Sequence, residues 1–403
     1  MKAVTFRADL VPYVLTLAMG KVNRKLYYSR FSCVRYEEVR EPVLPGDDWV
    51  KVKTIYGGIC GSDINMIYLH DSPLLSPFAS RRFVMGHENL GIIVEKGENV
   101  EGFEVGDRIV ADDVLSCEPR GLERCPKCLS GDYNLCLNFT EGRLSAGTIM
   151  GTCADTGGSW GEYYVAHKSQ LFKVPDNLKD EEAILIDPLC SALHPVLRNF
   201  PRDDEKVLVI GAGIIGILIV ASLRAFGSKA DITVIAKYDF QGQLAQRYGA
   251  DRVIYSRDCD VETMAEITGG KVVKPLLGEK YLIGGFDRVF DCVGSETSVR
   301  DSLRYINSGG ALVLVGLGSK IKLDWSLVWF KEVTIKGVYG YGVDPVDGRR
   351  ERTFKIGLDL MASGKMDLSP LVTHVFDLKD YKKAIEVASC KKEYQSIKVL
   401  LKP

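Results

Sequence analysis

The chain has 403 residues. A single core rarely grows past roughly 250–300 residues, so two domains are expected. Its 52 basic and 53 acidic side chains leave a net charge of −1, which gives no electrostatic footprint for nucleic acid or an anionic membrane, so neither is expected as a partner, and 11 cysteines, an odd number, are too few for a disulfide scaffold.

The opening MKAVTFRADL reads as a strand. It lacks the basic region, apolar stretch and cleavage site of a signal peptide, so a cytoplasmic location is expected. Residues 10–31 read as a helical insert: an extra surface helix, a subunit contact or a substrate lid. Segment 50–56 (VKVKTIY) alternates apolar and charged residues as a half-buried strand does. Segments 84–94 and 107–111 are further strands, whereas 71–82 and 116–157 show little regular pattern. Long irregular loops in a compact domain are usually functional or held by something else.

At Lys206 the character changes. Apolar strands at 207–210, 232–235, 252–255, 287–292 and 311–315 alternate with helices ending near 226 and spanning 241–248 and 298–305. That alternation predicts a parallel sheet covered on both faces. The apolar stretch 207–223 holds three glycines and falls short of the roughly 20 residues of a membrane span. Beyond about Gly337 the alternation weakens and the chain rejoins the first domain. The expected division is therefore 1–187 with 338–403, and 188–337.

Gly211-Ala-Gly213-Ile-Ile215-Gly216 follows a strand and opens a helix. The first glycine permits a tight turn, the second a close approach of pyrophosphate, and the third close packing of helix on strand. The helix N-terminus then offers N–H groups and a favourable dipole to the phosphates. At the end of the next strand an acidic residue would bind a ribose 2′-hydroxyl. Ala236 and Lys237 stand there instead, with Asp239 the next carboxylate. A small residue plus a cation favours NADP over NAD, unless Lys237 is merely solvated and Asp239 reaches the ribose.

Gly58-Ile-Cys60-Gly-Ser62-Asp63 and Gly86-His87-Glu88 place a thiol, an imidazole and carboxylates beside strands and irregular loops. Such groups bind zinc, and a catalytic zinc keeps one position open. Cys117, Cys125, Cys128 and Cys136 cluster around a C-x2-C pair, which in a reducing compartment reads as a metal site.

In this order, with Gly106-Asp107-Arg108 between them, these motifs resemble the zinc-containing medium-chain alcohol and polyol dehydrogenase family. The likeness runs from about Lys2 to the C-terminus and is greatest to the sorbitol, threonine and glucose dehydrogenase branch. It implies a GroES-like, β-rich catalytic domain and a Rossmann cofactor domain, and a hydride transfer between a nicotinamide cofactor and an alcohol, polyol or sugar. By resemblance Cys60 and His87 bind the catalytic zinc, and Glu88 binds it or exchanges with water. Ser62 relays the substrate proton and Asp63 orients a ligand. Asp187 takes the third-ligand position, binding directly, through water or not at all; followed by Pro188, it reads equally as a helix cap. Asn65 replaces the family's relay histidine, and His70 and His194 are weak substitutes. The four-cysteine lobe resembles the structural zinc site, with five extra residues between Cys117 and Cys125. Gly316 and Leu317 flank the nicotinamide, and Trp160, in GGSWGE, belongs near the substrate mouth or in the core. A homodimer or homotetramer is the family expectation. A zinc-free quinone or enone reductase, or a non-catalytic nucleotide-binding protein, would need neither Cys60 and His87 nor the lobe.

Overall fold

The computed structural model describes residues 1–316 and 320–403. Leu317 lies outside the described residues. The chain divides into two compact units: Met1–Pro188 with Tyr341–Val343 and Arg350–Pro403, and Leu189–Gly340 with Asp344–Arg349.

The first unit is built on a seven-stranded sheet. Its path runs Val372–Asp377, Lys398–Lys402, Trp49–Gly58, Asn89–Lys96, Arg108–Ala111 and Leu171–Lys173, and Tyr163–His167 also pairs with Trp49–Gly58. The alternation in Trp49–Gly58 buries Val50 and Val52 against Ile93, Ile109 and Tyr164. A smaller antiparallel sheet orders Val34–Glu38, Lys2–Arg7 and Arg82–Val84.

The expected strand 84–94 is in fact two. Arg82–Val84 belongs to the small sheet and Asn89–Lys96 to the large one. The break falls at Gly86, whose φ of 92° is left-handed, and where a Cβ would lie 2.2 Å from the Trp160 ring. Apolar patterning cannot register such a kink, yet it delivers His87 and Glu88 between the two sheets.

The second unit is a six-stranded parallel sheet. Its order is Arg252–Tyr255, Asp231–Ala236, Lys206–Ile210, Phe286–Asp291, Ile306–Leu314, Thr334–Gly337. The central strand Lys206–Ile210 is apolar and buried from Val207 onward, as helices shielding both faces of the sheet require. Leu208, Val289 and Leu312 join Val299 and Leu303 of helix Glu296–Tyr305 in one core. This is the doubly wound arrangement expected of the 188–337 region.

Candidate metal centres and cofactor loop

Cys60, His87 and Glu88 converge. One ligand atom from each lies within 4.8 Å of the others. Cys60 precedes helix Gly61–Ile67, whose buried Asp63 accepts from the Cys60 backbone N–H at 2.8 Å and stands 3.6 Å from His87 Nδ1. One carboxylate thus holds the Cys60 backbone and faces the His87 imidazole. Gly58 leaves room for Glu88, since a Cβ there would fall 1.8 Å from Glu88 Oε2. Thiol, imidazole and carboxylate are a zinc donor set, and Cys60 is the half-exposed member.

The electrostatics fit a cation. Burial lowers the His87 pKa, but Asp63 and Cys60 outweigh it, and the imidazole titrates well above its ordinary value. A bound metal ion would displace that proton. Glu88 is clasped by Lys398, at 2.6 Å from Nζ to Oε2, both side chains being buried. Lys398 also donates to Ile59 O at 3.2 Å.

Asp187 is not in the convergent group. It lies in the first turn of helix Ile186–Arg198, one residue inside the start rather than at a cap. Its Oδ2 is 2.7 Å from Tyr341 Oη, which is also 2.9 Å from Asp113 Oδ1. A phenol has one proton, so one of the two carboxyls is itself a donor. Burial and the neighbouring Asp187 push Asp113 well above the carboxylate range. Burial lifts Asp187 to about 6, with His87 pulling against it.

Ser62 is half-buried, two residues beyond Cys60. His70 is exposed and stacks on Tyr68, and His194 is buried in the second unit on Asp344 at 2.7 Å; neither joins the group. Trp160 is fully buried and donates to Gly58 O at 2.9 Å, a core role.

Cys117, Cys125, Cys128 and Cys136 form the second convergent group. Sulfur separations of 3.5 Å (Cys117–Cys136) and 3.6 Å (Cys125–Cys128) approach the about 3.8 Å edge of a tetrahedral zinc–thiolate site. N–H groups of Cys125, Leu137 and Asn138 point at the sulfurs from 3.3–3.5 Å. Burial opposes ionisation of Cys125, but the N–H groups of Leu137 and Cys128 outweigh it and pull its pKa to about 6. The lengthened Cys117–Cys125 interval carries Arg120, which is fully buried. Its guanidinium donates to five carbonyls, those of Leu115, Glu141, Leu144, Ser145 and Gly147. Every guanidinium N–H is used, and the irregular lobe gains a hub.

In the second unit, strand Lys206–Ile210 runs into Gly211, and Gly213 caps helix Ile214–Ala225 with Ile215 in its first turn. Gly216 meets the Gly211 carbonyl so closely that a Cβ would lie 1.9 Å away. Asp291 stabilises the facing turn, accepting from Val293 N, Gly294 N and Ser298 Oγ at 2.9–3.0 Å. Gly316 N donates to Asp291 O at 2.9 Å. Ala236 ends strand Asp231–Ala236, and Lys237 is exposed after it. Asp239 is paired with Arg257 at 2.9 Å, and Arg257 covers the Tyr255 ring at 4.7 Å.

Residues 46–176 match the family model of the alcohol dehydrogenase GroES-like domain, and residues 215–363 that of the zinc-binding dehydrogenase. L-threonine 3-dehydrogenase of Deinococcus deserti is 30% identical over 347 residues, 85% of this chain and 89% of that protein. The chain belongs to the zinc-containing medium-chain dehydrogenases. L-idonate 5-dehydrogenase of Vitis vinifera is 30% identical over 348 residues, 86% of this chain and 85% of that protein. The crystal structure of 2R,3R-butanediol dehydrogenase from Bacillus subtilis superposes with a TM-score of 0.73 at 27% identity, covering 100% of this chain and 99% of that one. The protein is thus an NAD(P)-linked alcohol or polyol dehydrogenase with a GroES-like and a Rossmann domain. A zinc-free quinone reductase is not favoured.

Lys398, Tyr341, Asp113, Arg120 and Asp291 went unnoticed in the sequence. Only Arg120 had a local signal, its place in the extra residues of the cysteine lobe.

Proposed function

We propose that this dehydrogenase oxidises a secondary alcohol bearing a hydroxyl or amino group on the adjacent carbon, with NADP as the acceptor. The three relatives named above act, by their names, on threonine, idonate and a 2,3-diol, and that vicinal pattern is common to all three. The convergence of Cys60, His87 and Glu88 carries the reading.

In this reading Cys60 and His87 hold the catalytic zinc, with Glu88 as a further ligand and Asp187, outside that group, reaching it through water or not at all. Zinc, when bound, supplies Lewis acidity that lowers the pKa of the substrate hydroxyl. Ser62 Oγ accepts the hydroxyl proton and passes it to water, because Asn65 has no titratable group. Asp63 keeps the His87 ring turned to the metal. Lys398 balances Glu88, so that a cation and a carboxylate are buried as a pair rather than singly. Gly211, Gly213, Ile215 and Gly216 would hold the pyrophosphate of a bound cofactor and Gly316 would border its nicotinamide, the group that would supply the hydride acceptor. Cys117, Cys125, Cys128 and Cys136 hold a second, structural zinc.

NADP is supported by the fate of Asp239. Its pairing with Arg257 offsets the carboxylate charge that would repel a 2′-phosphate, and Lys237 stands exposed beside Ala236. The 11 free thiols suit the cytoplasm. The decisive test is kcat/KM with NADP and NAD for a panel of vicinal diols, amino alcohols and isolated secondary alcohols. The expected outcome is a preference for NADP that falls at least about tenfold in Lys237→Ala, as befits one lost charge-assisted contact. Equal use of both cofactors by the wild type would refute the NADP assignment, and a preference for isolated alcohols would refute the substrate class.

A further inference from the structure

Helix Leu10–Gly20 is packed the wrong way round for a helix that serves only the core. It buries Thr16, which is 2% exposed, and Gly20, and leaves Leu10 77% and Val11 67% exposed. Val11, Val14, Leu15 and Ala18 recur at i, i+3, i+4 and i+7, and all four are exposed. Val22 extends the same face, and no charged side chain interrupts the helix. An exposed contiguous apolar face of this kind marks a surface that meets something else.

The inner face is firmly seated. Gly20 lies so close to the Tyr27 ring that a Cβ would fall 2.3 Å from it, and Tyr27 meets Tyr68 edge-on at 5.1 Å. Tyr13 packs on the same core cluster. The helix is therefore a fixed ridge, not a loose segment.

The segment that carries it is cationic, with the Asp71 carboxylate close to Tyr13 on the helix. Residues 10–36 include Lys21, Arg24, Lys25, Arg30 and Arg35 and no aspartate or glutamate. The first four are exposed, and Asp9, just before the helix, is spent on Arg82 at 2.7 Å. Lys25 has a partner in Glu386 at 3.2 Å but is still largely exposed. A twofold contact between copies would set this basic segment against itself, since such an interface apposes the same patch on both chains. An apolar ridge rimmed by lysine and arginine suits an anionic lipid surface instead, where the apolar face sinks to the acyl boundary and the cations meet headgroups.

We propose that helix Leu10–Gly20 is an interfacial anchor that docks the enzyme on an anionic bilayer surface. Among the described residues no helix is long and apolar enough to cross a membrane, and docking needs none. The near-neutral charge of the whole chain concealed this feature, because the balancing acidic residues lie elsewhere in the sequence.

The test is sedimentation of the full-length, metal-loaded protein with vesicles of phosphatidylcholine alone and of phosphatidylcholine mixed with phosphatidylserine. Binding is expected to the mixed vesicles, at least about tenfold tighter than to the neutral ones, and to weaken as salt shortens the Debye length. Removing one cation is worth about fivefold, so Lys21→Glu with Arg30→Glu is expected to cost about 20-fold or more. Val11→Asp with Leu15→Asp is expected to cost more than about tenfold. Both double variants should keep wild-type turnover, which shows that they fold. Wild-type protein left in the supernatant with the mixed vesicles would overturn the proposal, as would binding that neither double variant weakens. A fall in oligomeric mass for Val11→Asp/Leu15→Asp would assign the ridge to a second copy of the chain, and would equally overturn it.

Discussion

The two candidate metal-binding groups of the first unit use overlapping chemistry in opposite ways. The cysteine lobe gathers four like thiols and closes on itself, with backbone N–H groups on the sulfurs and Arg120 tying five carbonyls behind them. The Cys60 group mixes a thiol, an imidazole and a carboxylate, and is embedded in charge: Asp63 on His87, Lys398 on Glu88, and the Asp113–Tyr341–Asp187 chain nearby. Four identical soft ligands fill a tetrahedral ion and leave nothing for substrate, whereas three mixed ligands leave a position open. In the proposed reading, one metal serves as a staple in one place and as a reagent in the other, with the surrounding side chains deciding which.

That contrast can be broken in three ways. Cys60→Ser should have the largest effect, a loss in kcat/KM on the order of a thousandfold, the several kcal/mol that a Lewis acid contributes. Cofactor binding and the lobe's metal should survive, so metal analysis should show the loss of one zinc only. A full complement of zinc with normal turnover would remove Cys60 from the site. Next, Arg120→Ala should destabilise the fold by about 3–5 kcal/mol, because several buried carbonyls lose their partner at once. Its denaturant midpoint should fall while turnover per folded molecule stays near wild type. Selective loss of turnover without loss of stability would mean that the lobe is not merely structural.

The smallest effect is in pH. Cys125 titrates near 6 in the fold, against an ordinary thiol value of 9. Between those values the unfolded chain binds more protons, so the thiolate's stabilisation is complete above about pH 9 and is lost as pH falls toward 6. Metal-stripped protein should therefore lose thermal stability over that window, and Cys125→Ser should flatten the dependence. An identical slope in both proteins would show that the Cys125 thiolate contributes nothing to the fold.

What could be read in the sequence was what is local in it. Gly211 to Gly216, Cys60 to Asp63, Gly86 to Glu88 and the four cysteines each compress a candidate site into a few residues, and the alternation beyond Lys206 announced the parallel sheet. The remaining parts of the site come from far along the chain. Lys398 meets Glu88 across 310 positions, and Tyr341 meets Asp187 across 154 and Asp113 across 228. No periodicity marks a lysine at the start of a buried strand as half of an ion pair, or a tyrosine among glycines as the bridge between two carboxyls. The kink at Gly86 was equally hidden, because an apolar run looks the same whether it makes one strand or two. The insert at 10–31 read as a helix, but only its burial showed that it turns its leucines outward.

The division of labour between the two groups is tested most directly by removing zinc stepwise with a chelator while following metal content, turnover and thermal stability in the same samples. About two zinc per chain are expected at the start. Loss of the ion from Cys60 and His87 should abolish turnover with little change in melting temperature, and loss of the ion from the cysteine lobe should bring down stability. Full turnover in metal-free protein, or activity and stability falling together with a single ion, would contradict it.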